Sequence, residues 1–144
     1  MKKLLLISTA VLGLTVIVNL TNAQMGSWTQ KANFGGTGRF YAVGFSIGTK
    51  GYIGTGDPAS DDFWEYDPSA NVWTQKAIVP AAFSPRYGAV GFSIGNKGYI
   101  GGGRDYNSFP YDDFYEYDPT SNIWSTKAIN GYALAEYSVG FSIG

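Results

Sequence analysis

Gly44-Phe45-Ser46-Ile47-Gly48 recurs unchanged as Gly91-Phe92-Ser93-Ile94-Gly95 and again as Gly140-Phe141-Ser142-Ile143-Gly144. Recurrence at intervals of roughly 40–50 residues marks a chain built of stacked units, none of which can bury its apolar face alone. The surrounding sequence repeats with it. Gly51-Tyr52-Ile53-Gly54 returns as Gly98-Tyr99-Ile100-Gly101, Asp61-Asp62-Phe63 as Asp112-Asp113-Phe114, and Glu65-Tyr66-Asp67-Pro68 as Glu116-Tyr117-Asp118-Pro119. A tryptophan closes each unit at Trp28, Trp73 and Trp124.

Each unit resolves into four short strands, a to d. Strand a runs from Arg39 to Ile47, where Val43, Phe45 and Ile47 alternate with Gly44, Ser46 and Gly48; period-2 alternation is a strand signal. Its small face leaves room for a second sheet to approach closely. Strand b, Gly51 to Gly54, follows a tight-hairpin sequence, Gly48-Thr49-Lys50-Gly51 or Gly95-Asn96-Lys97-Gly98,. Strand c covers Asp62 to Asp67. Asp67-Pro68-Ser69-Ala70-Asn71 turns the chain, with Asp opening the turn and Pro fixing the next φ,. Strand d is Val72 to Ala77. Trp73, Trp124, Tyr66 and Tyr117 hold fixed strand positions and are expected in the core. Aromatics make up 17% of the chain, with 20 glycines, which favours strands over helices.

The glycines after strand b, then Tyr, then Trp at fixed spacing resemble the kelch repeat. Gly101-Gly102, Tyr117 and Trp124 fit it fully; Tyr66 and Trp73 fit with the same spacing, while Gly54-Thr55-Gly56 interrupts the glycine pair. The resemblance implies an all-β, kelch-type β-propeller, truncated here to two complete four-stranded blades plus single strands of the flanking blades. Residues 24–144 form the partial propeller: strand d at 28–32, one blade at 39–77, a second at 86–128, and a strand a at 135–144. Propellers of this kind often close by pairing a strand from one terminus with strands from the other, so Trp28–Ala32 is expected to serve the last blade. Fold relatives include the central domain of galactose oxidase and sialic-acid-isomerising kelch proteins. The former's copper centre needs histidines and a Tyr–Cys link. This chain has no His and no Cys, so no copper ligand is carried over, and no cofactor or metal is assigned.

Residues 1–23 read as a signal peptide. Lys2 and Lys3 precede an apolar run from Leu4 to Leu20, and Thr21-Asn22-Ala23 supplies small residues before Gln24,. Export to the cell surface or medium is therefore expected, with no integral membrane segment after cleavage. Without Lys2 and Lys3, the 11 acidic residues outnumber the basic ones, and no basic stripe follows a phosphate backbone. Nucleic acid is not an expected partner. With no His there is no His-based triad or His metal site.

Antiparallel order places the a–b and c–d turns on one rim and the b–c and d–a loops on the other. The copies differ in length only on the second rim, and insertions confined to one face mark the binding face of a repeat protein. The longer b–c loop carries Arg104, Asp105, Tyr106, Phe109 and Tyr111. Its aromatics can stack on sugar rings or anchor a protein partner; equally, they can fold back as a lid. Arg39 and Arg86 open strand a near the axis and are candidates to clamp a carboxylate, against a competing role in hydrogen bonding between blades. Asp61-Asp62 and Asp112-Asp113 can contribute oxygen ligands to calcium or serve as residues that open strand c. The expected function is an exported binding module for a glycan or protein. The alternatives are a sugar-acting propeller enzyme and a passive spacer.

Overall fold

A computed structural model describes residues 27–58, 60–80, 85–107, 109–128 and 136–143. The proposed signal peptide at 1–23, Ala135 and most of the d–a loop at 81–84 lie outside them. The chain divides at Gln30, and the architecture below, with its repeat units, belongs to the compact part Lys31–Gly144.

Among the described residues the structure is all-β, with two four-stranded antiparallel sheets and the same plan twice. The first contains β1 (Val43–Ile47), β2 (Lys50–Gly54), β3 (Phe63–Asp67) and β4 (Val72–Gln75) in that spatial order. The second repeats it with β5 (Val90–Ile94), β6 (Lys97–Gly101), β7 (Phe114–Asp118) and β8 (Ile123–Thr126). Gly48 and Gly95 both take φ 58° in the a–b hairpins, where a side chain would be strained. At the c–d turns Asn71 and Asn122 adopt φ 56° and 57°, the left-handed region that Asn tolerates better than most residues.

Register assigns each side chain to a face. Val43, Phe45, Ile47, Tyr52 and Phe63 share one face of the first sheet; Gly91, Gly98, Ile100, Tyr117 and Trp124 share the opposing face of the second. These two faces pack against each other to form the core. The Phe63 ring meets Tyr117 and Trp124 edge-on, at 4.9 Å in both cases. The approach depends on glycine. A Cβ at Gly98 would stand 2.4 Å from the Phe45 ring, and one at Gly91 2.9 Å from Val43.

A peptide clip joins successive units outside the ladders. Asn122 Oδ1 accepts from Tyr117 Oη at 2.7 Å and from Ala77 N at 3.0 Å, while Trp124 Nε1 donates to Ala77 O at 2.9 Å. Asn71, Tyr66 and Trp73 grip Ala32 in the same way, at 2.7, 2.8 and 3.3 Å.

Two expectations can be set beside the structure. One concerns the flanking segments: neither Trp28–Ala32 nor residues 136–143 pair into a ladder among the described residues, as befits single strands whose own sheets would lie in other repeat units. The expected core aromatics also divide. Tyr117 and Trp124 are buried, but Tyr66 and Trp73 are only partly so, since among the described residues no sheet covers that face, and the Phe34 ring meets Trp73 at 5.1 Å.

Candidate functional site

Both candidate arginines are spent inside their own units. The Arg86 guanidinium is fully buried. It donates to both Asp113 oxygens, at 2.5 and 2.7 Å, and to Gly102 O at 2.9 Å. Tyr111 lies over it, 3.8 Å from ring centroid to Cζ. Arg39 repeats the arrangement with Asp62, Thr55 O at 3.1 Å and the Phe34 ring at 5.1 Å. Burial alone would raise the Asp62 carboxyl, but hydrogen bonds from Arg39, Trp64 and Ser60 hold it below its ordinary value. Each pair ties the start of strand a to the start of strand c within one sheet. Where a guanidinium link between repeat units was expected, both pairs lie within one sheet; the nearby bond between sheets is made by backbone, from Gly56 N to Arg86 O at 2.9 Å. Asp62 and Asp113 are committed to these pairs, and no cluster of potential metal ligands forms among the described residues.

The long b–c loop is organised by Asp105. Its carboxylate accepts from the N–H groups of Asn107 at 2.9 Å and Phe109 at 3.1 Å, and from Tyr111 Oη at 3.5 Å. Burial alone would raise this carboxyl, but these donors, led by the Phe109 N–H, hold it below its ordinary value. The loop's aromatics then part company. Tyr111 turns inward onto Arg86, whereas Tyr106 and Phe109 are 61% and 67% exposed. Tyr106 Oη reaches across to the first unit and donates to Asp57 at 2.6 Å. Arg104 Nε pairs with Glu136 at 2.5 Å.

Around Tyr106 lies a group of aromatics that the sequence reading did not single out. Tyr87 stands 6.0 Å from Tyr106 and 6.2 Å from Tyr41; Tyr41 lies 5.6 Å from Tyr137 and 6.0 Å from Phe40. Phe40, Tyr41, Tyr106 and Tyr137 are each more than half exposed. Tyr41, Gly88 and Tyr137 occupy the same position in the three repeats, and all three have positive φ, at 56°, 67° and 57°. They are linked in sequence, Gly88 N donating to Tyr41 O at 3.2 Å and Tyr137 N to Gly88 O at 2.8 Å. Glycine fits this backbone without cost, while a bulky aromatic held there is an outlier of the kind that collects at binding sites. The first and third copies keep tyrosine, and the glycine of the middle copy leaves the space that the Tyr137 ring fills, 3.3 Å from where a Cβ would stand. Aligning the three copies upstream of Gly-Phe-Ser-Ile-Gly would have exposed this Tyr–Gly–Tyr pattern. The contacts of Asp57 and Glu136 depend on the fold and left no such signal.

On the opposite rim a cleft of about 430 Å³ opens between the sheets, lined by Lys50, Tyr52, Glu65, Asn96 and Thr120 among others. Its charged groups already satisfy one another. Glu65 accepts from Lys50 at 2.8 Å and from Tyr52 at 2.6 Å; Glu116 accepts from Tyr99 at 2.8 Å and pairs with Lys127, the counterpart of Lys76, at 3.0 Å, while Lys97 turns to Asp118. A Tyr–Glu–Lys arrangement that recurs in both sheets serves the sheet itself, so the aromatic rim is the stronger candidate.

Comparison with known proteins supports the fold. No known family's sequence profile matches the chain, and no curated protein does. The solved structure of YjhT is similar at TM-score 0.56 and 24% identity, covering 66% of this chain. The match spans only 29% of YjhT.

Proposed function

We propose that the chain is part of an exported kelch-type β-propeller that binds a glycan through the rim of its b–c and d–a loops. One observation carries this reading: Phe40, Tyr41, Tyr106 and Tyr137 stand exposed on that rim, two of them on backbone that glycine would occupy without strain. Sugar rings present C–H faces that stack on aromatics and hydroxyls that bond to carboxylates, and Asp57 and Glu136 lie beside the rings. Tyrosine supplies a rigid, amphipathic contact at low entropic cost. A protein partner would use the same anchors and is the competing outcome of the test.

The test is a glycan array followed by titration calorimetry. Replacing Tyr106 with Ser should weaken binding about thirtyfold, the effect of losing an anchor of about 2 kcal/mol. Its melting temperature should hardly change, because Tyr106 is exposed. Tyr111→Ser should instead lower stability by about 2 kcal/mol, since it uncovers a desolvated guanidinium. Asn96→Ser on the other rim should leave binding intact. Equal losses from both rims would defeat the reading, and capture of a protein with no glycan hits would replace glycan by protein. Export rests on Lys2, Lys3 and the apolar run; mass spectrometry of native material should find Gln24 at the N-terminus.

A further inference from the structure

Charge is divided unevenly between the two rims. On the rim of the tight turns each lysine meets its own acid: Lys50 bonds to Glu65 at 2.8 Å, and Lys97 pairs with Asp118 at 2.5 Å. On the rim of the b–c and d–a loops Arg39, Arg86 and Arg104 are each spent on one acid, Arg39 on Asp62, Arg86 on Asp113 and Arg104 on Glu136. Lys76 and Lys127, which follow strand d, turn back onto Glu65 and Glu116 in the sheets. That leaves Asp57, Asp61, Asp105 and Asp112 in the same loops, and among the described residues no cation pairs with any of them. Two of these acids adjoin the aromatic group. Asp57 accepts from Tyr106 Oη at 2.6 Å, and Asp105 directly precedes Tyr106 in the chain.

Resting on the glycan reading above, we propose that the sugar bound at this rim is cationic: an amino sugar whose amine is not acylated, with its ammonium against the Tyr106 ring and the Asp57 carboxylate. The face of an aromatic ring is the negative pole of its quadrupole and attracts a cation. A phenol that donates to a carboxylate, as Tyr106 does, carries more electron density in its ring, which strengthens that attraction. The surplus carboxylates carry like charge, and a bound ammonium offsets their repulsion within a Debye length of about 8 Å. An acidic sugar meets the opposite. Its carboxylate would enter a rim whose guanidiniums are already paired, beside acids of its own sign,. A neutral N-acetyl sugar keeps the stacking and loses the charge. Rings and acids meet where the two four-stranded sheets adjoin, Asp57 from the first and Tyr87, Asp105 and Tyr106 from the second.

The experiment uses the full chain and matched oligomers of glucosamine and galactosamine, each with the amine free or N-acetylated. They are titrated calorimetrically at a pH that keeps the free amine protonated. The free-amine form should bind about tenfold tighter than its acetylated partner, and oligogalacturonate should not bind. Added salt should shrink that ratio, because exposed charges are screened. Asp57→Asn keeps an acceptor for the Tyr106 hydroxyl and removes the charge, so it should cut the ratio about threefold; Tyr106→Ser should weaken both forms. Equal affinity for the two forms, with Tyr106→Ser weakening each, would overturn the charge inference and leave the glycan reading standing. Preference for the uronate would do the same, and a ratio untouched by Asp57→Asn would remove Asp57 from the site. If none of these oligomers bound, the charge inference would fall, and the broader glycan array would decide the glycan reading separately.

Discussion

The two sheets share nearly every strand residue, yet the same residue is core in one and half-exposed in the other. Ile100 is fully buried while Ile53 is not; Ile47 is 7% exposed and Ile94 52%. Phe63 is fully buried between the sheets, whereas its equivalent Phe114 is only partly so. The difference lies in the neighbour rather than in the strand. The first sheet lends its apolar face to the second, and the second lends its glycine face to the first. In a stacked array each repeat's stability divides into what its own ladder supplies and what the adjoining unit adds. The paired positions measure the second part directly.

The largest effect should come from truncating the shared contact. Phe63→Ala removes a ring that touches Tyr52, Tyr117 and Trp124 and should cost about 3–5 kcal/mol in a urea melt. Phe114→Ala should cost less than half of that. Equal losses would mean that the sheets are stabilised independently. Next comes overpacking. Gly98→Val must displace Phe45 and should cost about 1–3 kcal/mol. Gly51→Val meets only the Tyr66 Cβ at 3.9 Å and should stay within about 0.5 kcal/mol. A large penalty at Gly51 would show that the face of the first sheet is covered after all.

Much of this arrangement was legible in the sequence, and the illegible part has a common cause. Strand positions, hairpin glycines and the Asp-Pro turns are local, so alternation and turn chemistry locate them. The glycine face was legible too, since Gly44, Gly91 and Gly140 align on one side of a strand. Which copy of a repeated residue becomes core was not, because Phe63 and Phe114 have the same local sequence and differ only in what packs on them. Tyr106 and Tyr111 likewise stand in one loop. Only the distant Arg86–Asp113 pair decides that Tyr111 is a cover, whereas Tyr106 reaches over to Asp57 with its ring largely exposed. In the sequence Asp113 reads equally as a calcium ligand or a residue opening strand c, because its partner Arg86 lies 27 positions away.

The smallest effect is one that should not distinguish the sheets at all. Asp67 and Asp118 sit in equivalent c–d turns on the solvent side, and both carboxyls are held down to about 2 from an ordinary 3.8. The Ser69 hydroxyl is the main cause for Asp67, with the N–H groups of Ala70 and Ser69 behind it; for Asp118 it is the Lys97 ammonium, then the Thr120 N–H. A carboxyl depressed in the folded state binds fewer protons there than in the unfolded chain between the two pKa values. Stability therefore rises with pH across that interval. The contribution is complete above about 3.8 and is lost as pH falls toward 2. Asp67→Asn and Asp118→Asn keep a residue that favours the turn while removing one titrating group each. Both should flatten the acid limb of melting temperature against pH, and by the same amount, because neither turn depends on the packing between sheets. An acid limb that flattens for Asp118→Asn but not for Asp67→Asn would mean that the neighbouring sheet reaches even into the turns, and the division between ladder and neighbour would have to be redrawn.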